Sequence, residues 1–202
     1  MAEVESMLRR RLAGTLPGPD AQVRFAPVAR GWRTGEFPED ARVAAALLCL
    51  YPLAHGVAVP LTVRATTLAR HAGQISLPGG AKDPHETLVE AALREASEEI
   101  GLDSTTVRVL GELTPIHVLV SGFTLHPIVG VVDARPEFRP APAEVAEIVE
   151  VPLEDLRDAS RVRTGTRQRD GITIEYSYLE LCGHHVWGAT AMILGEFIHL
   201  FQ

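Results

Sequence analysis

Three glutamates, Glu95, Glu98 and Glu99, crowd the end of a helix-patterned stretch that runs from Gly80 to Leu102. Residues three and four apart share one face of a helix, so these carboxylates fall within roughly a hundred degrees of arc. Like charges so placed repel by a few tenths of a kcal/mol per pair, and a purely structural helix gains nothing from the arrangement. A divalent cation would account for it: hard ions such as Mg²⁺ prefer oxygen ligands, keep several waters, and take one or two carboxylates together with substrate phosphates. Ahead of the helix, Gly79 and Gly80 allow backbone and substrate to approach closely. Arg64, Arg70 and His71 supply most of the positive charge near the acidic stretch, either as a phosphate clamp or as exposed loop charge. Carboxylates and a phosphate-binding segment suit phosphoryl or pyrophosphate chemistry, which needs neutralised charge and an oriented water more than a covalent nucleophile. The chain lacks GxxxxGK(S/T), GxSxG and HExxH, which sets aside the P-loop, the serine nucleophile elbow and the zinc-protease helix.

The elements that must position these groups follow from periodicity. The acidic helix has two candidate starts: Asp83 as N-cap with Pro84 behind it, or Thr87 with Glu90 as a capping box. The second leaves Gly80 to Glu86 as a loop. Leu88, Val89, Ala92, Leu93, Ala96 and Ile100 project to one side as the core face, Glu90, Arg94 and Glu98 line the other, and Gly101 suits the C-terminal stop. Upstream, Arg42 to Tyr51 is a continuous apolar run expected as a central strand buried on both faces. Val57 to Arg64 is a second strand joined to it as an antiparallel hairpin, with Pro60 indicating an edge or a bulge. Ala65 to Leu77 reads as a loop ending in a short strand.

Downstream, strands are expected at Val107 to Leu113, at Phe123 to Asp133 with Pro127 interrupting it, and at Ile148 to Val151. The proline-rich loop before the last of these places Glu144 and Glu147 where the chain turns back. Val162 to Arg167 and Ile172 to Leu179 flank an Asp170-Gly171 turn as a hairpin, His184 to Trp187 continues as strand, and Ala189 to Leu200 is helical. A short amphipathic helix is expected over Val4 to Ala13. Thr15 to Asp40 reads as an extended lead-in with little regular structure, pinned by Trp32 and Phe37. The sum is an α/β (α+β) layered domain with a mixed sheet: residues 1–40 form the N-terminal helix and lead-in, and 41–202 the main domain.

Composition bounds the partners. The chain has 202 residues, 46% of them hydrophobic, enough for one globular domain with a sizeable core. A net charge of −7 argues against a general nucleic-acid or membrane-surface binder, so an anionic substrate must meet a local arginine cluster. Cys49 and Cys182 lie far apart in apolar settings and are expected as buried thiols. The charged N-terminus lacks the apolar core of a signal peptide, and no apolar run is long enough to span a bilayer, so a cytoplasmic location is the expectation. His184 and His185, adjacent on a strand, should point to opposite faces.

The stretch from Gly80 resembles the Nudix box, Gly-x5-Glu-x7-Arg-Glu-U-x-Glu-Glu-x-Gly-U with U aliphatic: Gly80, Glu86, Arg94, Glu95, Glu98, Glu99 and Gly101 fill its fixed positions. The resemblance implies a mixed sheet between helices and hydrolysis of a nucleoside diphosphate linked to another moiety. It further implies that Glu95, Glu98 and Glu99 bind Mg²⁺ or Mn²⁺ with help from a carbonyl near Gly79 or Gly80, and that Glu86 and Arg94 hold loop and helix together. Glu98 and Glu144 are both candidates for the general base.

The preceding segment is similar to the coenzyme A pyrophosphatase signature, Leu-Thr-x-Arg-(Ser/Ala)-x3-Arg-x3-Gly-x3-Phe-Pro-Gly-Gly. Leu61, Thr62, Arg64, Ala65, Gly73, Pro78, Gly79 and Gly80 match it, whereas its second Arg falls on Ala69, one place before Arg70, and its Phe on Leu77. The implied substrate is coenzyme A or a thioester, bound through Arg64, Arg70, His71, Gly79 and Gly80 and cleaved to 3′,5′-ADP and a 4′-phosphopantetheine. Another nucleoside diphosphate derivative such as ADP-ribose, or a nucleotide-binding module without turnover, are the alternatives. A small-molecule nucleotide is the expected partner, and a homodimer is compatible with this reading.

Overall fold

Eight consecutive buried residues, Ala44 to Tyr51, make one strand the spine of the molecule. The structure is a computed structural model and describes residues 1–26, 37–65, 73–169 and 172–202. In chain order its elements are helices α1 (Ala2–Leu12) and α2 (Pro19–Gln22) and strands β1 (Arg42–Pro52), β2 (Val57–Arg64), β3 (Ile75–Ser76) and β4 (Gly79–Ala81). Helix α3 (Leu88–Ile100) leads to strands β5 (Arg108–Glu112), β6 (Ile116–Val118), β7 (Phe123–Val131) and β8 (Val145–Pro152). Helix α4 (Leu153–Arg157), strands β9 (Val162–Arg169), β10 (Ile172–Leu181) and β11 (His184–Val186), and helix α5 (Gly188–His199) complete the chain.

Strand β1 alternates as a pleated strand must. Ala46, Leu48 and Leu50 join one apolar cluster with Ala191, Ile193 and Phe197 of α5. Ala45, Leu47, Cys49 and Tyr51 join a second with Ala92, Ala96 and Ile100 of α3. The mixed sheet is therefore sandwiched between helices, as the resemblance implied. β1 runs parallel to β7 from Arg42↔Phe123 to Leu50↔Val131. Its antiparallel pairing with β2 is confined to Tyr51↔Ala58 and Pro52↔Val57, after which the two strands part. β4 then takes the edge of β1 at Ala44 to Ala46, while β3 and β8 pair with β2. The result is a wedge opened between β4 and β2.

Pro60 and Pro127 both sit inside strands. Pro60 is not at a sheet edge: it pairs with Glu150 of β8, and on the other side of β2 it falls between the end of β1 pairing at Ala58 and the start of β3 pairing at Thr62. The bulge lies later, between Val63 and Arg64. Pro127 does not interrupt β7 either. Its carbonyl accepts from Leu113 N, so its nitrogen points to the same side, where β6 has ended at Leu125 and β5 has not begun until Ile128. A proline inside a strand is tolerated where no ladder partner is waiting for its missing N–H.

Helix α3 takes the later of its two starts: the Thr87 side chain accepts from Glu90 N and Glu90 accepts from Thr87 N, a reciprocal capping box. Gly101 ends it at φ 68. Its buried face includes Ala91 as well as Ala92, Ala96 and Ile100, while Leu88, Val89 and Leu93 are only partly covered. Strands β4 and β6 were not expected; two or three residues carry too little periodicity to show. β9 and β10 form the anticipated hairpin, with β11 added, as a separate sheet; its Asp170-Gly171 turn lies outside the described residues. Cys182 is exposed rather than buried, because it occupies the two-residue turn between β10 and β11 at φ 49 with Gly183 beside it. Among the described residues no helix is long and apolar enough to cross a membrane.

The N-terminal segment is more ordered than its composition suggests. Leu8 of α1 is fully buried, and α2 with the following turn seats on α5, where Phe25 lies against Gly195. Phe37 does not pin the segment, being 42% exposed, and Trp32 lies outside the described residues. What fastens this region is Glu196 of α5, fully buried, which accepts from Gly18 N (3.2 Å), Gln22 Nε2 (2.8 Å), Thr114 N (3.3 Å) and Thr114 Oγ1 (2.7 Å). Removing an acceptor that serves several buried donors leaves each of them unpaired. Glu196→Ala should therefore lower unfolding stability by about 3 kcal/mol or more, measured by urea denaturation; a loss below about 1 kcal/mol would show that this cluster does not anchor the segment.

Candidate active site

Arg94 is the hub of the acidic helix. Its guanidinium donates from Nε to Glu86 Oε1 (2.6 Å), from Nη2 to Glu86 Oε2 (3.1 Å) and the Ala81 carbonyl (3.0 Å), and from Nη1 to Glu95 Oε1 (2.8 Å) and Glu98 Oε2 (3.1 Å). Its partners are thus Glu86, Glu95 and Glu98; Glu90 is committed to the capping box instead. Glu86 also accepts from Asp83 N, and the arginine beside it holds its carboxyl down to about 2. These bonds tie the loop after β4 to the middle of α3.

The three box acids differ in environment. Glu98 has 60% of its side chain exposed, with Arg94 as its partner. Glu95 is half-buried, and burial raises its pKa against the opposing pull of Arg94. Glu99 is only 3% exposed; it accepts from Gly79 N (3.1 Å) and stands 4.0 Å from Arg64 Nη1. Burial pushes Glu99 up to about 7, the Gly79 N–H opposes this, and Glu95 and Glu144 add repulsion. Glu144 raises Glu95 as well, so its charge faces the same place, and its carbonyl accepts from Ala65 N beside Arg64.

The two glycines explain how the helix comes so close. A Cβ on Gly79 would lie 2.5 Å from the Ala45 carbonyl oxygen and 2.6 Å from Ala46 Cα, so β4 could not pair there with a larger residue. A Cβ on Gly80 would lie 2.5 Å from the Glu95 carboxylate, which occupies that space. The donors are all oxygen, and two of them are desolvated carboxylates that a positive charge would relieve. They fit a hard divalent cation. Among the described residues no three acidic, histidine or cysteine side chains are placed to hold an ion by themselves.

On the opposite face of the sheet, a pocket of about 190 Å³ opens between β1, β7 and α5, and it reaches Arg64, Gly79 and Gly80 at one end. Arg64 thus borders both the pocket and Glu99. Leu77, which the sequence marks as a departure from the signature, lines it together with Phe123, Thr190 and Ile193, which were not singled out. Phe123, Thr190 and Ile193 come from elements far from the box in sequence, so no local pattern marks them for the pocket. Arg70 and His71 lie outside the described residues.

A family model described as NUDIX domain matches residues 41–171. Nudix hydrolase NudL of Yersinia pestis, itself uncharacterized, is 40% identical over 137 residues, 66% of this chain and 67% of its own. The chain belongs to the Nudix family. The same identity and coverage hold for NudL of Yersinia pseudotuberculosis. Among solved structures, the MutT protein of Methanosarcina mazei Go1 superposes with a TM-score of 0.51 at 18% identity, covering 78% of this chain and 92% of that one. A MutT/nudix protein of Enterococcus faecalis gives 0.52 at 14% identity, covering 90% and 72%. At such identities they show the Nudix fold alone. Family membership makes the chain a hydrolase of pyrophosphate bonds in nucleoside diphosphate derivatives, and Nudix hydrolases generally use divalent cations.

Two predictions follow from the local geometry. Gly80→Ala meets only the movable end of Glu95, so it should leave the fold within about 1 kcal/mol of wild type while depressing turnover; Gly79→Ala meets backbone and should cost about 1–3 kcal/mol by urea denaturation. Equal stability losses in the two variants would contradict this assignment. For Glu99, the fold holds the proton up to about 7 against an ordinary 4.5, so the native state carries excess proton between those values. Stability of the metal-free protein should therefore fall as pH rises from about 4.5 to about 7. In chelator, Glu99→Gln should flatten that fall; a melting-temperature profile parallel to wild type across this range would refute it.

Proposed function

We propose that the protein hydrolyses the diphosphate linkage of coenzyme A or its thioesters, releasing 3′,5′-ADP and the corresponding 4′-phosphopantetheine, with Mg²⁺ or Mn²⁺ as the cation. The observation that carries this reading is the position of Arg64. It belongs to the segment similar to the coenzyme A signature, and it stands where the pocket meets the carboxylates. Its guanidinium is suited to bind a diphosphate oxygen and offset its charge. Gly79 and Gly80 let the phosphates approach the backbone, and Arg94 fixes Glu95 in place. A bound cation would supply charge neutralisation on the diphosphate, with Glu95, Glu98 and Glu99 as its carboxylate ligands. The attacking water is oriented and deprotonated by Glu98 or Glu144. Both are exposed enough to exchange a proton with solvent, and Glu144 directs its charge toward Glu95 and Glu99.

A second reading within the same chemistry has one observation behind it. Leu77, which stands where the signature has Phe, lines the pocket directly, so the group held there need not be the one the signature selects. ADP-ribose is the comparison substrate.

Incubation with Mg²⁺ and coenzyme A, dephospho-coenzyme A or ADP-ribose, followed by product separation, tests the assignment. Coenzyme A should be cleaved to 3′,5′-ADP, and the dephospho form should show a raised KM if the 3′-phosphate is bound. Rapid cleavage of ADP-ribose alone would overturn the coenzyme A assignment. Glu98→Gln should reduce kcat by about 100-fold or more with an unchanged melting temperature; unchanged turnover would remove Glu98 from the site.

A further inference from the structure

We infer that the pocket on the α5 side of the sheet is an apolar slot, which takes the aliphatic part of the non-nucleoside group carried by the diphosphate and not its nucleobase. The inference deepens the proposed function and rests on the diphosphate lying at Arg64. From that junction the slot runs along a floor of Ala44 and Ala46 on β1 and Leu125 on β7, beneath Ile193 of α5. Its volume of about 190 Å³ holds about six water-sized groups, at about 30 Å³ each.

The lining argues against a base. A nucleobase is held by an open aromatic face and by free hydrogen-bonding groups at its edge. Phe123 is the aromatic residue among those lining the slot, and one face of its ring is taken by the Arg42 guanidinium, 4.0 Å from the centroid. The side-chain hydroxyls along the wall are turned into the protein: Thr190 Oγ1 donates to the Ile75 carbonyl (3.1 Å), Ser121 Oγ to the Val118 carbonyl (3.3 Å), and Ser76 Oγ pairs with Thr62 Oγ1 (3.0 Å). What remains to meet a ligand is largely hydrocarbon.

The rim continues this character. Between Val118 and Ser121, which both line the slot, the β6–β7 turn holds Leu119 and Val120, 47% and 57% exposed. Arg42 braces that turn by donating to the Ser121 carbonyl (2.8 Å) while covering Phe123. A chain emerging from the slot would cover both exposed side chains, removing apolar surface from water.

The test uses the full chain and two probes without a base, inorganic pyrophosphate and hexyl diphosphate, as competitive inhibitors of whichever diphosphate substrate is turned over. The hexyl tail should tighten inhibition about tenfold or more over pyrophosphate. Ala44→Val narrows the floor with a residue at home in a strand and should remove most of that gain; Val120→Asp, at an exposed position that costs the fold little, should reduce it. No gain from the tail in the wild type, or a gain preserved in both variants, would overturn the slot. Failure to cleave coenzyme A while the tail effect persists would instead remove the coenzyme A reading and leave the slot standing.

Discussion

The arrangement depends on a close approach that only glycine allows, at two successive positions and for two different reasons. Gly79 lies against the backbone of β1 and Gly80 against the Glu95 carboxylate, so β4 is pressed between a strand and a helix with no side chain on either side. The first contact seats β4 on β1, and the second leaves the space that the Glu95 carboxylate fills. The first also brings the Gly79 N–H to Glu99, a buried carboxylate with no other hydrogen-bond donor among the described residues. A three-residue strand has little stability of its own. Here it is held by its pairing with Ala44 to Ala46 and by the Ala81 carbonyl accepting from Arg94.

Concentrating acids on one helix has an electrostatic cost, and the fold meets it with arginines. Arg94 is shared among Glu86, Glu95 and Glu98, so one ordered guanidinium offsets several charges and joins two segments. Glu99 lies beyond its reach and is left with Arg64 at 4.0 Å, too far for a strong bond, which is why burial dominates its titration. Among the three box acids, the least compensated is thus the most buried. This places the greatest local need for positive charge at the wedge and not along the solvent side of the helix.

How much of this was legible depended on sequence distance. The capping box, Gly101 and the Arg94–Glu98 contact lie within one short stretch, where helical spacing fixes which side chains meet. The same spacing put Glu90 beside Arg94 wrongly, and the Arg94–Glu86 pair joins loop to helix, beyond what helical spacing records. Strand β1 was equally plain because burial on both faces leaves an unbroken apolar run. Pro60 and Pro127 misled because their meaning lies in the neighbouring strands: each sits opposite a gap in its ladder, and no local signal records such a gap. The pocket was hidden for the same reason, since its walls come from β1, β7 and α5, with Ala44 and Ile193 separated by most of the chain. Glu196 reads as an ordinary helix glutamate until Gly18, Gln22 and Thr114 are folded onto it.

A continuous sheet separates its two faces, and here the carboxylates lie on the α3 side and the pocket on the α5 side. A ligand that touches both must pass where the sheet is open. The parting of β1 and β2 after a two-residue hairpin pairing supplies that opening, and β4 lines it with glycines instead of closing it. Arg64 follows directly on the bulge in β2, which locally redirects the strand and its side chains. From there it borders the pocket on one side and reaches toward Glu99 on the other. Had β1 and β2 stayed paired along their length, the two halves of the site would exist as separate surfaces, and neither the glycines nor the box acids could have joined them.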